Sequence, residues 1–183
     1  MLIEMSVVHS YYARLHLFTC LVICLLFFLV LGAPSSLAAV APPALPDQFG
    51  ESHSLHDFAG KPVLVIVASR RKLRWIGKWE EALRPELPQL NSIRIADITD
   101  EPRPAETKVA ELLQQRAPAN ISILIDLQNH WATTYELDTG EPCLVLFDSE
   151  HKVVAKFRGR PKGELVNEVL RVLREYFPAE AGA

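Results

Sequence analysis

The twenty residues from Gly60 to Trp79, GKPVLVIVASRRKLRWIGKW, limit the architecture more than any other stretch of the chain. Val63–Val67 is unbroken by a polar residue, the pattern of a strand covered on both faces in a parallel sheet. It runs straight into Arg70, Arg71, Lys72 and Arg74, after which Ile76, Trp79, Leu83 and Leu87 recur at helical spacing. That spacing predicts a helix over 72–84, ended by Pro85 and Pro88. A buried strand passing directly into an amphipathic helix points to an α/β fold.

The rest of the chain extends this pattern. Leu55–Gly60 reads as a turn leading into the first central strand, and Asn91–Ile98 holds a second strand with Ile93 and Ile95 on one face. The EPRP loop, 101–104, precedes a helix from Ala105 to Arg116 built on Val109, Leu112 and Leu113 and closed by Pro118. Ile121–Leu127 is strand-like, Trp131–Leu137 a short helical piece, and Thr139-Gly140-Glu141-Pro142 a turn. Cys143–Phe147 and Val153–Phe157, separated by DSEHK, form a hairpin. Pro161 suits the first position of a closing helix with Leu165, Val169, Leu170, Leu173 and Phe177 on one face. The order β-α-β-α-β-α-β-β-α makes an α/β sandwich around a mixed sheet.

At 183 residues the chain is one domain plus appendages, and 45–177 is long enough to bury roughly 70% of its unfolded surface. A net charge of −3 is too small to imply an acidic tail or a nucleic-acid partner. Leu17–Leu31 is an apolar run of fifteen residues preceded by Arg14 and His16, at the boundary between a signal-peptide core and a short membrane span. Ser36-Leu37-Ala38 offers the small residues a signal peptidase needs, so residues 1–38 are a leader cut after Ala38 or, uncut, an anchor through 15–33. Both readings export the remainder, and any membrane contact is confined to that segment. The proline-rich stretch 39–50 is a spacer, 45–177 the domain and 178–183 a tail. Cys20 and Cys24 lie in the leader, which leaves Cys143 alone in the folded part and excludes a disulfide framework. No Cys/His spacing matches a zinc site, and no cofactor is implied.

Several of these segments together resemble a known family. Leu45-Pro46-Asp47 and Leu55-His56-Asp57-Phe58-Ala59-Gly60-Lys61-Pro62-Val63-Leu64-Val65 are similar to the opening of thioredoxin-fold redoxins, the alkyl-hydroperoxide-reductase/thiol-specific-antioxidant group and its exported relatives. Ile123-Leu124-Ile125-Asp126 through Tyr135-Glu136-Leu137 is similar to their strand-helix unit. Glu141-Pro142-Cys143-Leu144-Val145-Leu146-Phe147-Asp148 with His151-Lys152-Val153-Val154 resembles their cis-proline strand and hairpin. A fainter similarity is to the periplasmic YtfJ-like branch. The resemblance covers 45–177 and implies a thioredoxin-like three-layer sandwich with a central mixed sheet, and a cis peptide at Pro142 beside the redox centre. The departure is chemical. Where that family carries a CxxC pair or a peroxidatic cysteine, residues 68–80 here read ASRRKLRWIGKWE. Dithiol exchange needs two sulfurs that can meet, so the family's activity does not transfer.

Four groups of residues are candidates for function. Arg70, Arg71, Lys72 and Arg74 crowd a helix N-terminus, the positive end of the dipole, where free N–H groups suit an anion. Either they bind a carboxylate, a phosphate or lipid headgroups, or they are a solvated face partly neutralised by Glu141. Trp75, beside Arg71 and Arg74, either lines a ligand groove or packs in the core, and Trp79 is core. Cys143, following Pro142, either reacts as a thiolate whose pKa is lowered by Arg70, Arg71 and the helix, or is a plain core cysteine. His53, His56 and Asp57 could ligate a metal, but their segment is turn-like and no third distant ligand suggests itself; surface histidines are the default. Asp57, Asp126 and Asp148 read as turn formers.

The reading that follows is an exported thioredoxin-like protein without a dithiol site. It acts as a binding or accessory module, taking a protein or small anionic ligand at the basic turn and at 139–142. The alternative is a single-cysteine thiol oxidoreductase or redox sensor using Cys143, which needs a resolving thiol from elsewhere. A third reading is a tethered assembly factor anchored by its leader.

Overall fold

Val63–Ser69 forms β3, the centre of a five-stranded sheet in the computed structural model, which describes residues 42–99 and 104–178. The leader, its cleavage region and residues 101–103 of the EPRP loop lie outside the described residues. Val63 to Ala68 are all fully buried. Each fully buried large aliphatic side chain of this strand contributes roughly 1.5–3 kcal/mol to the core. It pairs in parallel with β4 (Ser92–Asp97) and antiparallel with β6 (Cys143–Phe147). β5 (Leu124–Asp126) adds in parallel to β4 and β7 (Val153–Arg158) antiparallel to β6, giving the order β5-β4-β3-β6-β7. The mixed sheet is the one expected from the sequence. A two-residue hairpin, β1 (Leu45–Pro46) with β2 (Ser52–His53), precedes it, so the end of the proline-rich stretch packs with the domain.

Strand parity divides the packing. Leu64, Ile66, Ala68, Leu144 and Leu146 face one side, where Ile76, Trp79 and Leu83 of α1 (Arg74–Leu83) meet Val169, Leu170 and Leu173 of α4 (Gly163–Tyr176). Ala96 and Ile125 take Val109 and Leu113 of α2 (Glu106–Arg116). Ala96 sits opposite Ala68 and Ile125 opposite Ala96, so α2 shares that face with α1 and α4. Val63, Val65, Val67, Ile95, Cys143, Val145 and Phe147 face the other side, against Trp131 of α3 (His130–Thr134) and Tyr135. Helices on both faces make the three-layer sandwich.

The differences from expectation have local causes. The Leu55–Phe58 turn is a 3-10 helix, opened by a capping box between Ser54 and Asp57. The strand expected over 121–127 pairs only from Leu124, because Gln48 takes the preceding backbone: Nε2 donates to Ile121 O at 2.6 Å, and Ile123 N donates to Oε1 at 2.7 Å. α3 ends at Thr134 rather than Leu137, and Glu136 then turns left-handed at φ 51°. Pro161 is not the first residue of α4; extended Lys162 stands at the N-cap and the helix opens at Gly163. Leu87 is buried, but beyond the end of α1. Among the described residues no helix is long and apolar enough to cross a membrane.

Candidate functional site

The carboxyl end of β3 delivers the chain into a 3-10 turn, Arg70–Lys72, and then into α1. Neither Ser69 nor Leu73 caps this entry with a side chain. Cations therefore stand at the end of the helix where the dipole favours negative charge. One carboxylate answers part of that field. Glu141 Oε1 accepts from Lys72 Nζ at 2.8 Å, and its two oxygens accept from Arg160 Nη2 and Nε, each at 3.1 Å. The fork from Arg160, helped by Lys72, holds the Glu141 carboxyl down at about 2.

Trp75 stands in the same cluster. The guanidinium carbons of Arg74 and Arg160 each lie 5.0 Å from its ring, within cation–π range. Its indole nitrogen is buried with no hydrogen-bond partner among the described residues. The structure thus brings Lys72, Arg74, Trp75 and Glu141 together and adds Arg160, which sequence reasoning missed. The DSEHK hairpin signal was the available clue, since the returning strand β7 carries the chain back toward Pro142: Gly159 N donates to Pro142 O at 2.9 Å. Trp79 is fully buried, as expected, and its Nε1 donates to Gly159 O at 3.0 Å.

On the other flank of α1, Arg70, Arg71 and Arg74 line a cleft of about 400 Å3 that reaches Arg116 at the end of α2. Its floor contains an ion pair absent from the sequence reading. Glu80 on α1 is buried, and Arg94 Nη2 on β4 reaches its Oε1 at 2.5 Å. Burial by itself would raise the Glu80 carboxyl, but hydrogen bonds from Arg94 and Ser92 outweigh it, and the net direction is downward.

Cys143 lies elsewhere. It sits opposite Val67 in the β3–β6 register, and its side chain packs with Val145, Phe147 and Trp131 on the face away from α1. Arg70, Arg71 and the helix do not lower its pKa: burial pushes the thiol up to about 11. Arg158 offsets this, while Asp138 and Asp97 add to it. Its sulfur is within 3.3 Å of Asp138 O and 3.5 Å of Glu141 O.

His53 and His56 do not converge. His53 Nδ1 is 3.2 Å from Asp57 Oδ2, whereas the His56 ring meets His151 edge-on at 6.1 Å. His53 instead approaches Asp47 and Glu51, at 3.6 and 3.9 Å. Asp47 is a buried turn former, its Oδ1 accepting from Phe49 N and Glu51 N. Asp126 accepts from the N–H groups of Gln128, His130 and Trp131, and Asp148 from those of Glu150 and Lys152, the turn roles expected of both.

No protein-family model matches the chain, and no curated protein matches it. Solved structures do. The pneumococcal exposed lipoprotein thioredoxin Etrx1 from Streptococcus pneumoniae strain TIGR4 superposes with a TM-score of 0.60 at 18% identity, over 74% of this chain and 99% of its own. BsSco, of the Sco family of cytochrome c oxidase assembly proteins, gives 0.55 at 12%, over 77% and 94%. A secreted Mycobacterium tuberculosis disulfide oxidoreductase homologous to E. coli DsbE gives 0.51 at 11%, over 72% and 94%. With its mixed sheet and flanking helices, the chain has the thioredoxin-like fold.

Proposed function

We propose that this protein is an exported member of the thioredoxin-fold redoxins that has no dithiol chemistry and works as a binding or accessory module. One observation carries the reading. The junction of β3 and α1, where the resembled family places its cysteines, holds Arg70, Arg71, Lys72 and Arg74. An anionic group of a protein partner or a small molecule docks there. It meets cations, uncapped N–H groups and the edge of Trp75, with Glu141 and Pro142 forming the neighbouring rim. Export follows from the apolar leader before Ala38, and similar structures include an exposed lipoprotein and a secreted oxidoreductase. An accessory role has a parallel in the assembly family to which BsSco belongs.

The test is a disulfide-exchange assay on the whole chain with a peptide disulfide and a dithiol reductant. The expected result is no turnover above the reductant alone, with Cys143→Ser indistinguishable from the parent. Turnover that vanishes in Cys143→Ser would replace this reading with the single-cysteine enzyme.

A further inference from the structure

α1 and the end of α2 share one face of the sheet without closing over β4, and the cleft of about 400 Å3 lies between them. Its lining has two characters. Leu73, Ile76, Leu113, Ile121 and Ile123 give an apolar wall, while the exposed Arg70, Arg71, Arg74 and Arg116 stand around it. Among the described residues the lining holds one carboxylate, Glu80, which is already engaged by Arg94. Gly77 presents no side chain from α1, and a Cβ built there meets nothing within 4 Å. Glycine weakens a helix interior; here it also keeps the cleft open.

We infer that this cleft binds an amphiphilic organic anion, a small molecule with a carboxylate or phosphate head and an alkyl or aromatic body. The inference deepens the binding reading above and rests on it, since Arg70, Arg71 and Arg74 serve both. An inorganic anion leaves the apolar wall against water, and a neutral apolar molecule brings no counter-charge to Arg71, Arg74 and Arg116. The volume falls within the roughly 300–1,000 Å3 of small-molecule sites. The head sits among Arg71, Arg74 and Arg116, and the body lies along Ile76, Leu113 and Ile123.

Calorimetric titration of the chain, purified as its cell produces it, with acetate, butanoate, octanoate and octan-1-ol tests this. Affinity is expected to rise on the order of fourfold for each buried methylene along the acid series, with octan-1-ol at least tenfold weaker than octanoate. Gly77→Phe, which fills the cleft, is expected to raise the octanoate Kd tenfold or more, whereas Gly77→Ala retains binding and controls for the helix substitution. Octanoate no tighter than acetate, octan-1-ol equal to octanoate, or a folded Gly77→Phe that binds like the parent overturns the inference. A parallel phosphate titration separates the two failures. If phosphate stabilises the protein and octanoate shows no chain-length dependence, only the amphiphile is wrong; if neither binds, the broader reading falls as well.

Discussion

Lys72 Nζ and Glu141 Oε1 are 2.8 Å apart, joining the turn after the central strand to a loop 69 residues later in the chain. Arg160 completes the clasp from the far side of the hairpin. The Glu141 carboxyl is held at about 2 against an ordinary 4.5, so its contribution to stability is present above pH 4.5 and lost as the pH falls towards 2. Urea midpoints measured from pH 7 to pH 2 are expected to show Glu141→Gln less stable than the parent at pH 7. The gap should narrow below pH 4.5 and close near pH 2. A gap independent of pH would mean that the clasp does not depend on the charge of Glu141.

The Glu80–Arg94 pair tests the floor of the cleft. Both side chains are mostly buried, so removing one charge strands the other. Glu80→Ala is expected to lower stability by about 3 kcal/mol, and replacing both residues by leucine to recover most of that loss. Chemical denaturation of Glu80→Ala, and of Glu80→Leu, Arg94→Leu and their double variant, checks it; purely additive losses in the leucine set would show that the charges are not coupled.

The main features of the fold were legible because they rest on short-range pattern. The continuous Val63–Val67 run announced a strand buried on both faces, and Ile76, Trp79 and Leu83 announced the buried side of α1. The two ion pairs at the site were less legible, for different reasons. Glu141 near the basic turn was expected, since the thioredoxin-like fold that the resemblance implies places the 139–142 loop beside it. Arg160 and Arg94 were not, because strand register and hairpin return, rather than local spacing, bring them to Glu141 and Glu80. Glu80 also lies beside Trp79 on α1, and its burial is made tolerable by Arg94 and Ser92 of β4 and by Arg84. Which face Cys143 occupies was readable from its alternation with Val145 and Phe147. That α1 packs on the opposite face was not.

That placement gives Cys143 a distinct chemical signature. With the thiol pushed up to about 11, the thiolate fraction at pH 8 is on the order of one in a thousand, and the sulfur is buried. Iodoacetamide labelling at pH 8 is expected to proceed at least a hundredfold more slowly in the native protein than in urea. Comparable rates in the two states would return the reactive-thiol reading to the fore.

Gly77 offers a stability measurement independent of any ligand. It lies in the interior of α1 with open space at its Cβ position. Gly77→Ala is expected to stabilise the protein by about 0.5–1 kcal/mol, read as a higher denaturation midpoint. A loss of stability would indicate a contact that the open cleft does not contain.

The most direct measurement is the melting temperature against phosphate concentration at constant ionic strength, for the parent and for a protein carrying Arg71→Glu and Arg74→Glu. A ligand that binds the folded state raises the melting temperature along a curve set by its dissociation constant. The account predicts such a curve in the parent and a flat response in the charge-reversed protein. A flat response in the parent, or the same curve in both, would contradict it.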